Sequence, residues 1–367
     1  MGDSAFKNWI NQDVVKIIAQ EVSRHYPEFD SRNFSKVSKN LAPLELKARV
    51  LLITEQLNKY LPEDYTQTIE ILRKVVRSKK IRGFSLWPIS EYIGQFGLDH
   101  FDESMQAMYE LTQEFTSEFC IRPFILKDHK KVLKFFRKWT KDKNTNVRRW
   151  VSEGSRPLLP WGLRIDLFKN DPSYTLPLLE QLKYDEELFV RKSLANHLND
   201  ISKHHPEVVI KTLQAWEKDC SPKHKPKIQW IKRHALRTLI KKGNPKALQL
   251  MGVKGPAKVK VTEIKITQKK LALGDTLEFN FGIASTSQKK QKLVVDYAIH
   301  FVKKNGALSP KVFKLKTLEI PAKATINITK RHSLKKITTM VYNTGKHLVA
   351  IQINGQYFKE SEFYLNA

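Results

Sequence analysis

The sequence predicts an all-α half followed by an all-β half. Two observations carry this expectation: apolar residues recur at helical spacing as far as about Leu250, and the period falls to two after MGVKGPA at 251–257. Length supplies a third. A chain of 367 residues exceeds one ordinary core, and 41% hydrophobic residues with 10% aromatics can fill two.

Taken in order, KNWINQDVVKIIAQEVSRHY sets Trp9, Ile10, Val14, Ile17, Ile18 and Val22 on one helical face. Further helices are expected over 43–59, 65–76, 103–118, 130–138, 175–182, 206–216 and 227–241. Breaks carrying Pro, Gly, Asp or Asn separate them, such as Pro62-Glu63-Asp64 and Asn170-Asp171-Pro172. Beyond 257 the segments VKVTEIKI, TLEFNFGIA, LVVDYAIHFV, VFKLKTLEI, ATINITK, KITTMVY and HLVAIQI alternate or run β-branched. Turn signals at Gly274-Asp275, Asn305-Gly306, Asn343-Thr344-Gly345 and Asn354-Gly355 divide them. Seven or eight short strands in this span suggest an immunoglobulin-like β-sandwich lacking inter-sheet cysteines.

Charge narrows the function. Sixty-five Lys and Arg against 37 Asp and Glu give +28, so nucleic acid or an acidic surface is the expected partner. The excess is no tail: residues 258–367 alone hold 20 basic against 7 acidic residues. Two cysteines, Cys120 and Cys220, offer no disulfide framework and suit a reducing cytosol. MGDSAFKNWI lacks the pattern of a signal peptide, and no apolar run approaches a membrane span. A soluble, basic, cytoplasmic protein is expected.

The helical half repeats itself. NTNVRRWVSEGSRP and ELFVRKSLANHLND align at a shift of 43 residues, and QWIKRHALRTLIKKG places Lys232 and Arg233 about 42 further on. Upstream, Ser117-Glu118 through Arg122-Pro123 echoes Ser152-Glu153 through Arg156-Pro157. A period near 40 with V-R at a helix start marks HEAT-like α-helical repeats stacked as a solenoid. Arg148 and Arg149, Arg191 and Lys192, and Lys232 and Arg233 would then form a basic ladder that tracks a phosphate backbone. Ladders between neighbouring repeats also occur in solenoids that bind only protein, so this reading stays open here.

Acids in such a groove weaken phosphate binding. Glu118 lies four residues before Arg122 and Glu153 four after Arg149, so both suit helix-face pairs, and Asp200 suits a helix-end hydrogen bond. Their convergence on equivalent inner helices argues for chemistry. Breaking an N-glycosidic bond develops positive charge on the sugar, which a fixed carboxylate stabilises while it orients water. A base made cationic by alkylation leaves neutral, with no general acid, metal or nucleophilic lysine. The chain has no CxxC, HExxH, Walker or GxGxxG pattern, so no metal or cofactor is expected. Trp87, Trp150 and Trp161 flank the acids; Trp150 suits the core, while Trp161 after Pro160, and Trp87, are candidates for contacting an unstacked or cationic base.

The stretches SLWPISEYI, LTQEFTSEFCIRPFI, VRRWVSEGSRPLLPW, VRKSLANHLNDISKHHP and WIKRHALRTLIKKGNPKALQLMG resemble the AlkC-type DNA alkylation-repair glycosylases, relatives of AlkD. The C-terminal half, ending GKHLVAIQINGQYF, is similar to the immunoglobulin-like domain of one AlkC subgroup. The resemblance implies a monofunctional glycosylase removing 3-methyladenine and 3-methylcytosine from duplex DNA. The repeats (1–252) would grip a bent duplex while the sandwich (258–367) reaches its minor-groove side. It places Glu118, Glu153, Asp200 and Trp161 at active-site positions and Arg149 on a phosphate near the lesion. Among the acids, Glu153 is expected to lead in stabilising the cationic sugar and placing water, with Asp200 and Glu118 sharing the task.

In the sandwich half, Arg331, Lys335, Lys336 and Lys346 are the candidate phosphate contacts and His332 a candidate minor-groove probe. A solvated face is the plainer reading of any one lysine. A monomer is expected, since a solenoid on DNA needs no symmetry partner. Two other functions compete: a non-catalytic HEAT-repeat binder of bent or damaged DNA, and a scaffold for an acidic protein.

Overall fold

A computed structural model describes residues 6–337 and 340–366. Among them, fifteen α-helices run from Gln12–His25 to Pro245–Leu250, and nine strands follow. Several helices start where a short polar side chain satisfies the first free N–H groups. Asn11 caps Gln12–His25, Asp64 caps Tyr65–Arg77, Asn144 caps Thr145–Gly154 and Asn244 caps Pro245–Leu250.

Three expected helices differ in extent. The one expected over 103–118 is Phe101–Glu114, because Phe115 leaves helical geometry and Glu118 falls in the following turn. The helix Ile121–Trp139 is broken at Asp128, whose carboxylate accepts from the Lys131 N–H at 3.0 Å and starts the second piece. The stretch 227–241 forms two helices, Lys225–Ala235 and Arg237–Lys241.

The repeat is real, and its arginines explain themselves locally. Helices Thr145–Gly154 and Leu188–Ile201 pack on each other. Arg148 donates to the carbonyls of Asp142 (2.9 Å) and Lys143 (3.2 Å), and Arg191 to those of Asp185 (2.6 Å) and Glu186 (2.7 Å). In both of these repeats, then, the V-R arginine reaches back over the loop that leads into its own helix. Arg148 also grips Asp185 of the next repeat at 2.6 and 3.1 Å. This corrects the basic ladder: Arg148 and Arg191 are committed to loop carbonyls and an inter-repeat pair, and Lys232 is buried. Lys192 and Arg233 stand exposed.

The described chain forms two compact units. One holds the residues up to His205 with Cys220–His234; the other holds Pro206–Asp219 and the residues from Ala235 onward. The last helices join the strands because they cover the outer face of one of them. The strands are β1 (Val259–Val261), β2 (Lys265–Ile266), β3 (Lys270–Ala272), β4 (Thr276–Ser285), β5 (Gln291–Val302), β6 (Leu308–Ile320), β7 (Thr325–Ser333), β8 (Gly345–Ile353) and β9 (Gln356–Asn366). In one sheet β4 lies between β7 and the pair β1 and β2; in the other the order is β3-β9-β8-β5-β6, with β3 parallel to β9. Phe279 and Phe281 of the first sheet share a core with Val295, Ile299 and Ile351 of the second. The opposite face of β5 is buried too: Val294 packs with Ile240, Leu248 and Val253. Both faces being covered, LVVDYAIHFV reads as a continuous apolar run rather than a strict alternation.

The expected strand KITTMVY includes 338–339, which lie outside the described residues; its Ile337 and Met340 form an isolated bridge. His332 is corrected. It points to the half-buried side of β7, its Nδ1 lies 2.8 Å from the Tyr297 hydroxyl, and Phe313 packs on its ring. Burial, then Lys330 and Lys311, push its pKa down to about 4, so at neutral pH it is no exposed cationic probe. Arg331, Lys335, Lys336 and Lys346 are exposed, with Arg331 3.2 Å from Glu278 and Lys346 2.9 Å from Glu362.

This packing makes two stability predictions. Asn354 (φ 50) and Gly355 (φ 81) turn β8 into β9 in the left-handed pair that a tight hairpin requires. A Cβ on Gly355 would fall 2.1 Å from the Gly243 Cα. Gly355→Ala is expected to destabilise this unit by about 3 kcal/mol or more, read as a lower urea midpoint. Asp296 is buried on β5, and burial raises its pKa to about 6 against Lys241, the Leu315 N–H and Lys314. A carboxyl raised in the fold destabilises it above that value, and the penalty fades as pH falls from about 6 to about 4. Asp296→Asn should therefore stabilise at pH 7.5 by about 2 kcal/mol and give no gain at pH 4, in paired urea titrations.

Candidate active site

Three carboxylates and two guanidiniums form one chain of contacts in the first unit. Glu118 sits in the turn after Phe101–Glu114, where the Thr116 hydroxyl donates to its Oε2 at 2.8 Å and takes its N–H at 3.3 Å. Arg149, on Thr145–Gly154, donates to Glu118 Oε2 and to Thr116 Oγ1 (3.2 Å), and its other nitrogen is 3.5 Å from Glu153 Oε1. Arg156 donates to Glu153 Oε1 at 2.7 Å and to Asp200 Oδ2 at 2.8 Å. Ser193 donates to Glu153 Oε2 at 2.5 Å, and Lys203 to Asp200 Oδ1 at 3.2 Å. The order is Glu118, Arg149, Glu153, Arg156, Asp200.

All three acids are buried, which is tolerable only because every one meets a charged donor. Burial opposes the charge of Arg156, but Glu153 and Asp200 hold its pKa above the usual value. His197, fully buried on Leu188–Ile201, has its Nδ1 3.0 Å from the Ser152 carbonyl, so Nδ1 carries the proton. Burial, then Arg156, push its pKa down to about 3; the ring is neutral and supplies no acid.

A cavity of about 390 Å³ opens on this network, walled by Glu118, Arg149, Glu153, Arg156, Phe119 and Trp161. Trp161 is 60% exposed and holds φ 65, a left-handed backbone rare for a bulky side chain. Phe189, half-exposed, lies with its ring 5.1 Å from the Arg149 guanidinium.

The expected residues are brought together with three corrections. Glu118 pairs across the fold with Arg149, not along a helix with Arg122. Asp200 does not wall the cavity but anchors Arg156 from behind. Trp87 is 2% exposed, lying behind Trp161 (6.5 Å, 22°) and stacked on Phe119 (5.2 Å, 15°), so it supports the wall rather than reaching a base. Arg149 lines the cavity, engaged there by two carboxylates and Phe189. Trp150 is core, fully buried against Trp139. Sequence reasoning missed Arg156 and Arg122 as site residues. The signal was present, since both occupy the Arg-Pro that ends the two echoing segments.

Comparison with known proteins shows the family. A family described as DNA alkylation repair enzyme matches residues 111–239, and one described as the C-terminal Ig-like domain of uncharacterised protein YhaZ matches 260–367. The chain is 38% identical over 352 residues to uncharacterized protein YhaZ of Bacillus subtilis (strain 168), covering 95% of this chain and 96% of that protein. It matches the Pseudomonas fluorescens alkylpurine DNA glycosylase AlkC, solved bound to DNA containing an abasic site analog, with TM-score 0.91 and 38% identity over 99% of this chain and 100% of that one. The sequence, the fold and this wall of paired acids thus converge: the chain belongs to the AlkC-type family of DNA alkylation-repair proteins that carry a C-terminal immunoglobulin-like domain.

Proposed function

We propose that this chain is a monofunctional DNA glycosylase that hydrolyses the N-glycosidic bond of small cationic alkylated bases, 3-methyladenine and 3-methylcytosine, in duplex DNA. The observation that carries it is the pair of carboxylates, Glu118 and Glu153, facing one cavity beneath an exposed tryptophan. As the glycosidic bond lengthens, positive charge grows on the deoxyribose. The carboxylates, themselves buried, supply a fixed negative field for that charge. Glu153 is the leading group: Arg156 and Ser193 fix both of its oxygens, so it can orient a water without rotating. Asp200 acts one step back by keeping Arg156 on Glu153, and Glu118 shares the field. A cationic base departs neutral, so no proton donor has to face it, in keeping with the neutral His197. Trp161 offers its ring to the cationic base or sugar.

Duplex DNA is the proposed partner, met by Lys192 and Arg233 of the first unit and by Lys335, Lys336, Arg331 and Lys346 of the second. All six are exposed. Arg331 and Lys346 already neighbour carboxylates, so Lys335 and Lys336 have most to gain from phosphate. The proposal needs no second subunit and no cofactor, and it places the protein where DNA is, in the cytoplasm.

Base release from methylated duplex DNA tests the reaction. The wild type should release 3-methyladenine at the same rate with and without EDTA. Glu153→Gln should lose about a hundredfold or more and Asp200→Asn somewhat less. Wild-type rates in Glu153→Gln would overturn the assignment, and tight salt-sensitive binding without release would leave a non-catalytic DNA binder. Replacing Lys335 and Lys336 together by Ala should reduce the slope of log affinity against log salt by about two, measured by fluorescence anisotropy on undamaged duplex.

A further inference from the structure

Arg122, near the start of Ile121–Trp139, is fully buried and meets no carboxylate within ion-pair distance among the described residues. Its Nε donates to the Leu163 carbonyl and its Nη1 to the Gly154 carbonyl at 3.0 Å, while Nη2 has no partner. Burial, then Arg156, lower its pKa to about 10, against the pull of Asp200, Glu118 and Glu153. A buried cation whose direct hydrogen bonds go only to two carbonyls stabilises a fold poorly, so the position of those carbonyls matters.

Gly154 directly follows Glu153 at the end of Thr145–Gly154, and Leu163 stands two residues after Trp161. Residues 160–164 form a largely exposed tip, braced within the loop by the Gly162 N–H on the Leu159 carbonyl at 3.2 Å. Among the described residues, the Arg122 bond is the only hydrogen bond that reaches this tip from outside the loop. The backbone of Trp161 (φ 65) is of a kind that persists only where its surroundings hold it. A Cβ on Gly162 would come within 3.1 Å of Arg122 Cδ and Nε, so glycine there admits the guanidinium. Lysine cannot replace it, because only the planar fork donates in two fixed directions.

We propose that Arg122 is a positioning residue: its guanidinium locks the Trp161 loop to the end of the helix that carries Glu153, so that lesion-facing ring and leading acid form one rigid wall. This rests on the glycosylase reading for its consequence, but not for its geometry. Arg122 itself does not line the cavity.

The test uses full-length Arg122→Lys and Gly162→Ala, each alone and combined with Trp161→Ala. Acrylamide quenching and emission of Trp161, obtained by subtracting the matching Trp161→Ala protein, need no DNA. Both variants should shift them, Arg122→Lys further. In single-turnover release of 3-methyladenine, Arg122→Lys should lose about a hundredfold and Gly162→Ala less, with affinity for undamaged duplex kept within about twofold. In the Trp161→Ala background, Arg122→Lys should add no further loss. Unshifted Trp161 signals in both variants would overturn the proposal, as would a loss that multiplies in full without Trp161. If Arg122→Lys failed to fold by circular dichroism, Gly162→Ala would decide the matter by the same two readouts. No release by the wild type would instead sink the glycosylase reading, leaving the quenching result to decide the role of Arg122.

Discussion

Everything at the site depends on burying three carboxylates together. Glu118, Glu153 and Asp200 repel one another at close range, and desolvation adds to the cost. Arg149 and Arg156 turn the repulsion into attraction by sitting between successive acids, which offsets the desolvation cost. The alternation also fixes geometry. Each guanidinium bonds groups from different helices or turns, so the acids cannot drift apart without breaking charged hydrogen bonds. Ser193 and the Ser152–His197 contact add two further ties between the same pair of helices.

The HEAT-like repeat makes this possible because it returns the same helix position every forty-odd residues. Arg148 and Arg191 show the repeat at its most regular, each closing the loop ahead of its own helix. That regularity is structural, and it frees the neighbouring position. Arg149, next to Arg148, turns to the cavity and takes up the acids. The aromatic layer behind it, Trp87 on Phe119 with Trp161 in front, supplies an apolar wall that sharpens the field of the carboxylates.

In the second unit the governing constraint is the doubly covered strand β5. Its core face meets the other sheet, and its reverse face meets the last helices through Val294. A helical segment that looks in sequence like the end of the repeat array thereby belongs to the sheet-bearing unit. The buried Asp296 lies on that same covered face, which explains its raised pKa.

The sequence by itself determined the order of α then β, the repeat period and the hairpin at Asn354-Gly355, and it singled out Glu118, Glu153, Asp200 and Trp161 as candidates. These are properties of spacing, turn chemistry and motif, which a linear string preserves. Partnership was decided only by the tertiary structure. Glu118 chose Arg149 rather than Arg122, Arg148 and Arg191 went to loop carbonyls, His332 turned inward, and Trp87 became support. A long side chain can reach several partners at once in sequence space, and only the packing of helices 30 to 45 residues apart selects one. Arg122 illustrates the limit best: its bonds run to backbone carbonyls 32 and 41 residues away, and a carbonyl carries no sequence signal.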